Sequence, residues 1–114
     1  MSEAEILNEL LHSNGIKQTY TAKSGETLRI KLPKIPNTRQ TQFVGLKRET
    51  HGDVNSFVET TGENVGEGVM TPVEIRGKAV QSGTVNFILK AVDRISGKEI
   101  PDVEPLNITV NIKA

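Results

Sequence analysis

The chain has 114 residues, with 14 acidic and 14 basic side chains, a net charge of zero and no cysteine. This length suits one domain, and a neutral chain lacks the basic excess that nucleic-acid binding requires. The absence of cysteine excludes disulfides, thiol catalysis and cysteine–zinc sites, and it leaves the cellular compartment open.

Residues 2–11 predict a short helix. Ser2 and Glu5 have the spacing of a capping box, and Gly15 can end the helical segment because it tolerates a left-handed backbone. The apolar residues that share one face are Ile6, Leu7, Leu10 and Leu11. A helix of about ten residues is marginal alone in water. We therefore expect it to dock on the rest of the domain, on a partner, or on a second copy by self-association.

After the helical segment 1–15, the pattern changes to period two, and residues 16–114 predict a single β domain. In the clearest run, Leu106, Ile108, Val110 and Ile112 alternate with polar residues, as in an antiparallel strand with one buried face. Turn residues separate seven such runs, at 17–22, 27–32, 42–49, 54–60, 69–79, 85–91 and 106–112. This spacing predicts an all-β, seven-stranded immunoglobulin-like Greek-key sandwich with a short N-terminal helix.

The connections between these strands are unequal in length. Residues 33–41, 61–68 and 93–105 form long, irregular connections, whereas those near Ser24 and Ser82 are tight. In the immunoglobulin topology the three long connections gather at one end of the sandwich. Because loops longer than a reversal needs are often functional, we expect that end to contact a protein partner.

The polar residues do not predict catalysis or metal binding. His12 and His51 are the only histidines. His12 belongs to the terminal helix, His51 lies near a predicted turn opposite the long loops, and no serine or threonine has a placed base. The glycine-rich run 62–68 lacks the Lys-Ser/Thr pair of a phosphate loop. We expect a protein that is not an enzyme and has no cofactor, bound metal or membrane span. The compartment is either the cytoplasm or, after removal of a signal peptide, outside the cell.

The long connections carry short motifs in a fixed order. Residues 25–33 begin with glycine and end in Leu-Pro, and the next loop keeps Pro36 and Thr38. Residues 66–68 read Gly-Glu-Gly in the second connection. In order and spacing, residues 17–113 resemble the chagasin family, small immunoglobulin-fold inhibitors of papain-like cysteine proteases. The third motif of that family is Arg-Pro-Trp, where this chain has Asp93-Arg94-Ile95 and no tryptophan.

The resemblance implies an inhibitor that blocks the cleft of a papain-like protease. The first loop would occupy the cleft, the glycine loop would allow close backbone approach, and the third loop would grip the rim. The implied partner-binding residues are Pro36, Asn37, Thr38, Arg39, Gln40, Gly66, Glu67, Gly68, Arg94 and Ile95. The alternative, which the missing tryptophan favours, is a non-inhibitory immunoglobulin-like structural or adhesive module of a surface, secretion or virion assembly.

Overall fold

The computed structural model describes residues 2–60, 69–70 and 74–114, with the backbone alone at 69–70. The helix α1 spans Glu3–Leu11, and Val54–Ser56 forms a 3₁₀ turn. The strands in the described residues are β1 (Lys17–Lys23), β2 (Thr27–Lys31), β3 (Val44–Gly52), β4 (Phe57–Glu59), β5 (Val69–Met70), β6 (Glu74–Ala79), β7 (Gly83–Asp93) and β8 (Leu106–Lys113).

The strands form two sheets. One has five strands in the order β1-β8-β7-β3-β5, and the other has three in the order β2-β6-β4. Strand β1 runs parallel to β8, while the remaining pairs are antiparallel. Non-consecutive strands are therefore neighbours, as a Greek key requires, and the predicted immunoglobulin-like sandwich is confirmed.

The run predicted as one strand at 69–79 divides between the two sheets. Val69–Met70 pairs with β3 in the larger sheet, whereas Glu74–Ala79 pairs with β2 and β4 in the smaller one. Likewise, the run predicted at 54–60 begins with the 3₁₀ turn and pairs only from Phe57. Period-two alternation reports which face a residue takes, and it does not report where a chain changes sheets.

The core lies between the two sheets. Phe57 of the smaller sheet and Phe87 of the larger one meet edge to face, with ring centroids 6.0 Å apart. Leu89, Leu106, Ile108 and Val110 are fully buried, as their alternation predicts. The pattern of hydrophobic residues thus produces a rigid platform from which the connections project.

Helix α1 is part of this platform. Ser2 caps it through Oγ, which accepts from the backbone N–H of Glu5 at 3.2 Å, as the capping spacing predicts. Leu7 and Leu11 are both fully buried. Leu11 belongs to the main core, which shows that the apolar face of the helix packs inside its own chain.

Candidate functional site

Two long loops and helix α1 lie at the same end of the sandwich, which we call the loop end. The β2–β3 loop comprises residues 32–43, and the β7–β8 loop comprises residues 94–105. The pairing of Lys31 with Glu74 and of Val44 with Asp93 places the ends of four strands there. At the opposite end, Ser24 Oγ donates to the carbonyl of Val80 at 2.9 Å and closes the tight turns.

The β2–β3 loop is braced from within by Thr41, whose side chain is buried. Its hydroxyl donates to the carbonyl of Pro36 and accepts from the backbone N–H of Thr38 at 3.2 Å. The Thr41 and Thr38 hydroxyl oxygens are 2.7 Å apart. The buried Thr41 side chain therefore fixes the backbone conformation of the exposed residues 36–40.

The first part of the β7–β8 loop, residues 94–99, folds back on β7, and we call it the turn segment. The Asp93 carboxylate accepts from the backbone N–H groups of Ile95 at 2.8 Å and Ser96 at 2.9 Å. These two N–H groups, that of Ser96 foremost, hold the pKa of Asp93 below its ordinary value of 3.8. The Gly97 N–H donates to the carbonyl of Asp93 at 2.8 Å, which closes the turn.

The second part, residues 100–105, is held by helix α1, and we call it the return segment. Asn8 Nδ2 donates to the carbonyl of Asp102 at 2.9 Å, and Asn8 Oδ1 accepts from the N–H of Glu104 at 3.0 Å. His12 Nε2 lies 2.9 Å from the carbonyl oxygen of Glu104. Apart from the Ile100 N–H, which donates to the carbonyl of Ala91, the hydrogen bonds described for the return segment therefore come from residues more than 90 positions away in the chain.

The two loops also meet each other. The backbone N–H of Arg94 donates to the carbonyl of Phe43 at 2.8 Å. A pocket of about 240 Å³ lies beside this junction. Leu32, Val44 and Leu46 supply apolar lining. Lys34 and Arg94 add two cations to the lining, so the pocket suits an apolar group with an acidic neighbour.

The structure places the predicted partner-binding residues as follows. Pro36, Asn37, Thr38, Arg39 and Gln40 are exposed at the loop end, and Pro36 and Asn37 line the same pocket as Arg94. Arg94 is exposed, and the side chain of Ile95 is 81% exposed. The predicted first and third loops are therefore adjacent. The predicted second-loop residues, Gly66, Glu67 and Gly68, lie outside the described residues.

Sequence reasoning missed Phe43, Thr41 and Asn8. Phe43 stands one residue before β3 with 54% of its surface exposed, next to the loop junction. The sequence placed Phe43 in the run predicted at 42–49, and its exposure, which is unusual for a large aromatic side chain, emerged only in the structure. The roles of Thr41 and Asn8 depend on folded-state contacts that no local pattern encodes.

Within residues 2–60 and 74–114, no group of three or more histidine, aspartate or glutamate side chains is placed to hold a metal ion. Among the described elements, the helix is too short and too polar to cross a membrane. His51 lies on β3, within 3.8 Å of Glu49, and His12 faces the return segment. The two histidines are thus on different elements.

No protein-family model matches the chain, and no curated protein matches it. Several solved structures are similar to the chain, among them the following two. The solution structure of amebosin is 18% identical, with a TM-score of 0.43 over 83% of this chain and 88% of that one. The crystal structure of the cysteine protease inhibitor EhICP2 from Entamoeba histolytica is 19% identical, with a TM-score of 0.48 over 85% of this chain and 95% of that one.

The fold assignment rests on the strand order and register of the chain itself. On these observations, the chain is an immunoglobulin-like β-sandwich with an N-terminal helix.

Proposed function

We propose that the protein inhibits papain-like cysteine proteases by placing its loop end in their active-site cleft. The observation that carries this proposal is the junction of the two loops, where the N–H of Arg94 binds the carbonyl of Phe43. It brings the exposed residues 36–40 and the exposed Ile95 to one edge of the sandwich. The chagasin-like order of the loop motifs also supports this edge as the binding surface.

Inhibition of this kind needs no chemistry from the inhibitor. A loop that is already ordered before binding loses less conformational freedom when it enters a cleft. The internal brace of Thr41 and the carboxylate bonds of Asp93 supply that order in the β2–β3 loop and the turn segment. In the proposed complex, residues 36–40 fill the cleft, while Arg94 and Ile95 contact its rim.

The proposal also assigns a role to Phe43. Aromatic residues dominate the binding energy of many interfaces, and this chain has no tryptophan. Phe43 and Ile95 are large, exposed and apolar, and both adjoin the loop junction. We assign to them the anchoring contribution that the family obtains from the tryptophan of its third motif.

The direct test is inhibition of papain and of cathepsin-type proteases by the full chain. We expect an inhibition constant of about 1 μM or tighter, which corresponds to about 8 kcal/mol of binding free energy. The absence of inhibition at about one hundred times that concentration would contradict the proposal. It would leave the structural or adhesive module as the remaining hypothesis.

Single variants locate the binding edge. Ile95→Ala and Phe43→Ala should each weaken inhibition by about tenfold or more, since interface anchors contribute over about 1.4 kcal/mol each. Neither should alter the fold, because both side chains are largely exposed. Val80→Ala is the matched control, an exposed apolar residue at the opposite end. Equal inhibition by all three variants would place the binding edge elsewhere.

A further inference from the structure

Several side chains of helix α1 contact the loop end, and the hydrogen-bonding groups of one of them, Asn8, all have partners. Asn8 Nδ2 donates to the carbonyls of Ala4 and Asp102, each at 2.9 Å. Its Oδ1 accepts from the N–H of Glu104 at 3.0 Å. An amide side chain offers two donors and an acceptor, and here one donor and the acceptor serve the return segment.

Together, Asn8 and His12 engage both polar groups of the Glu104 backbone. Asn8 binds its N–H, and His12 Nε2 lies 2.9 Å from its carbonyl oxygen. A neighbouring strand would ordinarily satisfy such groups. Here two side chains one helical turn apart take the place of that strand.

The segment held in this way is conformationally unusual. Asp102 has a φ of 64° and is the only described non-glycine residue with a positive φ. That conformation costs free energy for a residue with a side chain, so surrounding contacts must maintain it. Asn8 supplies two contacts directly after this φ angle, at the Asp102 carbonyl and at the N–H two residues later.

Apolar packing fixes the position from which Asn8 acts. Leu7, its neighbour in the helix, is fully buried with Val44 and Ala91. Ile35 of the β2–β3 loop and Ile100 and Val103 of the return segment pack against the same cluster. Leu7 therefore lies beneath both loops, and Asn8, the next residue in the helix, forms hydrogen bonds with the β7–β8 loop.

We propose that the return segment is part of the recognition edge, beside the turn segment, and that helix α1 positions it, with Asn8 as the positioning residue that orders it for binding. This role in binding rests on the proposed function. The ordering of the return segment by Asn8 does not, and it can be measured in the free protein. An ordered loop should bind more tightly, because the population that is competent to bind is larger.

Amide hydrogen exchange by NMR tests the ordering. Asn8→Ala should accelerate exchange of the Glu104 N–H by up to about tenfold, which corresponds to about 1.4 kcal/mol, the upper range for the loss of one hydrogen bond. The amides of Ile95 and Ser96 should be unchanged. Asn8→Asp keeps an acceptor for Glu104 but removes the donor to the carbonyls of Ala4 and Asp102, so it should restore the protection of Glu104 in part. Glu9→Ala, on the exposed side of the helix, is the matched control.

Inhibition assays with the same variants test the consequence for binding. Asn8→Ala should weaken inhibition by about threefold to tenfold, in proportion to the lost protection of Glu104. Asn8→Asp should recover part of this loss, which general destabilisation of the fold would not produce. Glu9→Ala should inhibit like the wild type.

The outcomes separate the two proposals. Unchanged exchange at Glu104 in Asn8→Ala would overturn the ordering by Asn8. Faster exchange with unchanged inhibition would overturn its role in binding and leave the inhibitor proposal intact. A third outcome is that the wild type inhibits no papain-like protease, while the Glu104 N–H exchanges faster in Asn8→Ala. In that case the proposed function and the role of Asn8 in binding are both wrong, but the ordering of the return segment by Asn8 is confirmed.

Discussion

The two parts of the β7–β8 loop are ordered in opposite ways. Apart from the bond of the Arg94 N–H to Phe43, the turn segment is held by its own neighbours, because the carboxylate and the backbone carbonyl of Asp93 bind N–H groups two to four residues away. The return segment is held by helix α1, at a sequence separation of 92 to 96 residues. The turn segment thus depends mainly on local hydrogen bonds, whereas the adjacent return segment depends on the docking of helix α1.

This difference bears on stability and on folding. Locally bonded turns form without waiting for distant contacts, whereas a segment that depends on a remote helix is ordered only when that helix docks. The return segment should therefore lose its order with the helix, while the turn segment persists. The predictions below separate the two segments by perturbing one at a time.

The largest effect is expected from Leu7→Ala, which removes a fully buried side chain beneath both loops. Burial of this kind predicts a loss of about 2–5 kcal/mol in the free energy of unfolding, measured by urea denaturation. Alanine favours the helix, so the loss reports docking rather than helix propensity. Amides of the return segment should exchange faster than those of the turn segment, and equal acceleration in both would show that the segments form one unit.

A smaller effect is expected from Gly97→Ala, because Gly97 has a φ of 75° and open space around the position of a Cβ. Backbone strain alone should cost about 1–2 kcal/mol. Gly97→Asn is the matched control, since asparagine tolerates this conformation better and should cost less. Thermal unfolding of the two variants measures the difference, and the Glu104 amide should keep its protection in both. Identical melting temperatures for the wild type and both variants would contradict the assignment of strain to this turn.

Asp93→Ala should act on the turn segment alone. It removes the acceptor for the Ile95 and Ser96 N–H groups, so these two amides should exchange severalfold faster. Asp93→Asn retains a neutral acceptor and should give an intermediate result. Accelerated exchange at Glu104 in Asp93→Ala would mean that the turn segment supports the return segment.

The smallest effect is a pH dependence of the same turn. Because the pKa of Asp93 is lowered in the folded protein, the stabilisation is present in full above its ordinary value of 3.8 and is lost as pH falls through the lowered value. The Ile95 and Ser96 amide resonances should report this step in an NMR titration from neutral pH downward. Asp93→Asn is the control and should lack the step, and its presence there would assign the titration to another carboxylate.

The turn segment shows how far sequence reasoning reaches at this site. An aspartate followed by Ser96 and Gly97 is a local turn signal, and the structure builds the turn from those residues. The exposure of residues 36–40 likewise follows from their polarity. The contact of Arg94 with Phe43 was not predictable, because it joins residues 51 positions apart across the β3–β7 pairing.

The features of the overall fold also divide into those that depend on neighbours in the chain and those that depend on tertiary packing. Alternation predicted the buried residues of β7 and β8, and the capping residues predicted where α1 begins, because both depend on neighbours in the chain. The parallel pairing of β1 with β8 and the separation of 69–70 from 74–79 depend on which surfaces meet. These features follow from tertiary packing, which a one-dimensional pattern does not contain.

The periodicity of the apolar residues was enough to predict the class of fold, the position of the helix and the strands with strong alternation, since hydrophobic burial acts on each segment through its own period. Three other features follow from tertiary contacts: helix α1 lies at the loop end, Thr41 braces one loop and Asn8 holds another. A hydrogen bond needs two groups within about 3 Å of each other. For groups more than 90 residues apart, the folding of the whole chain brings them to that distance.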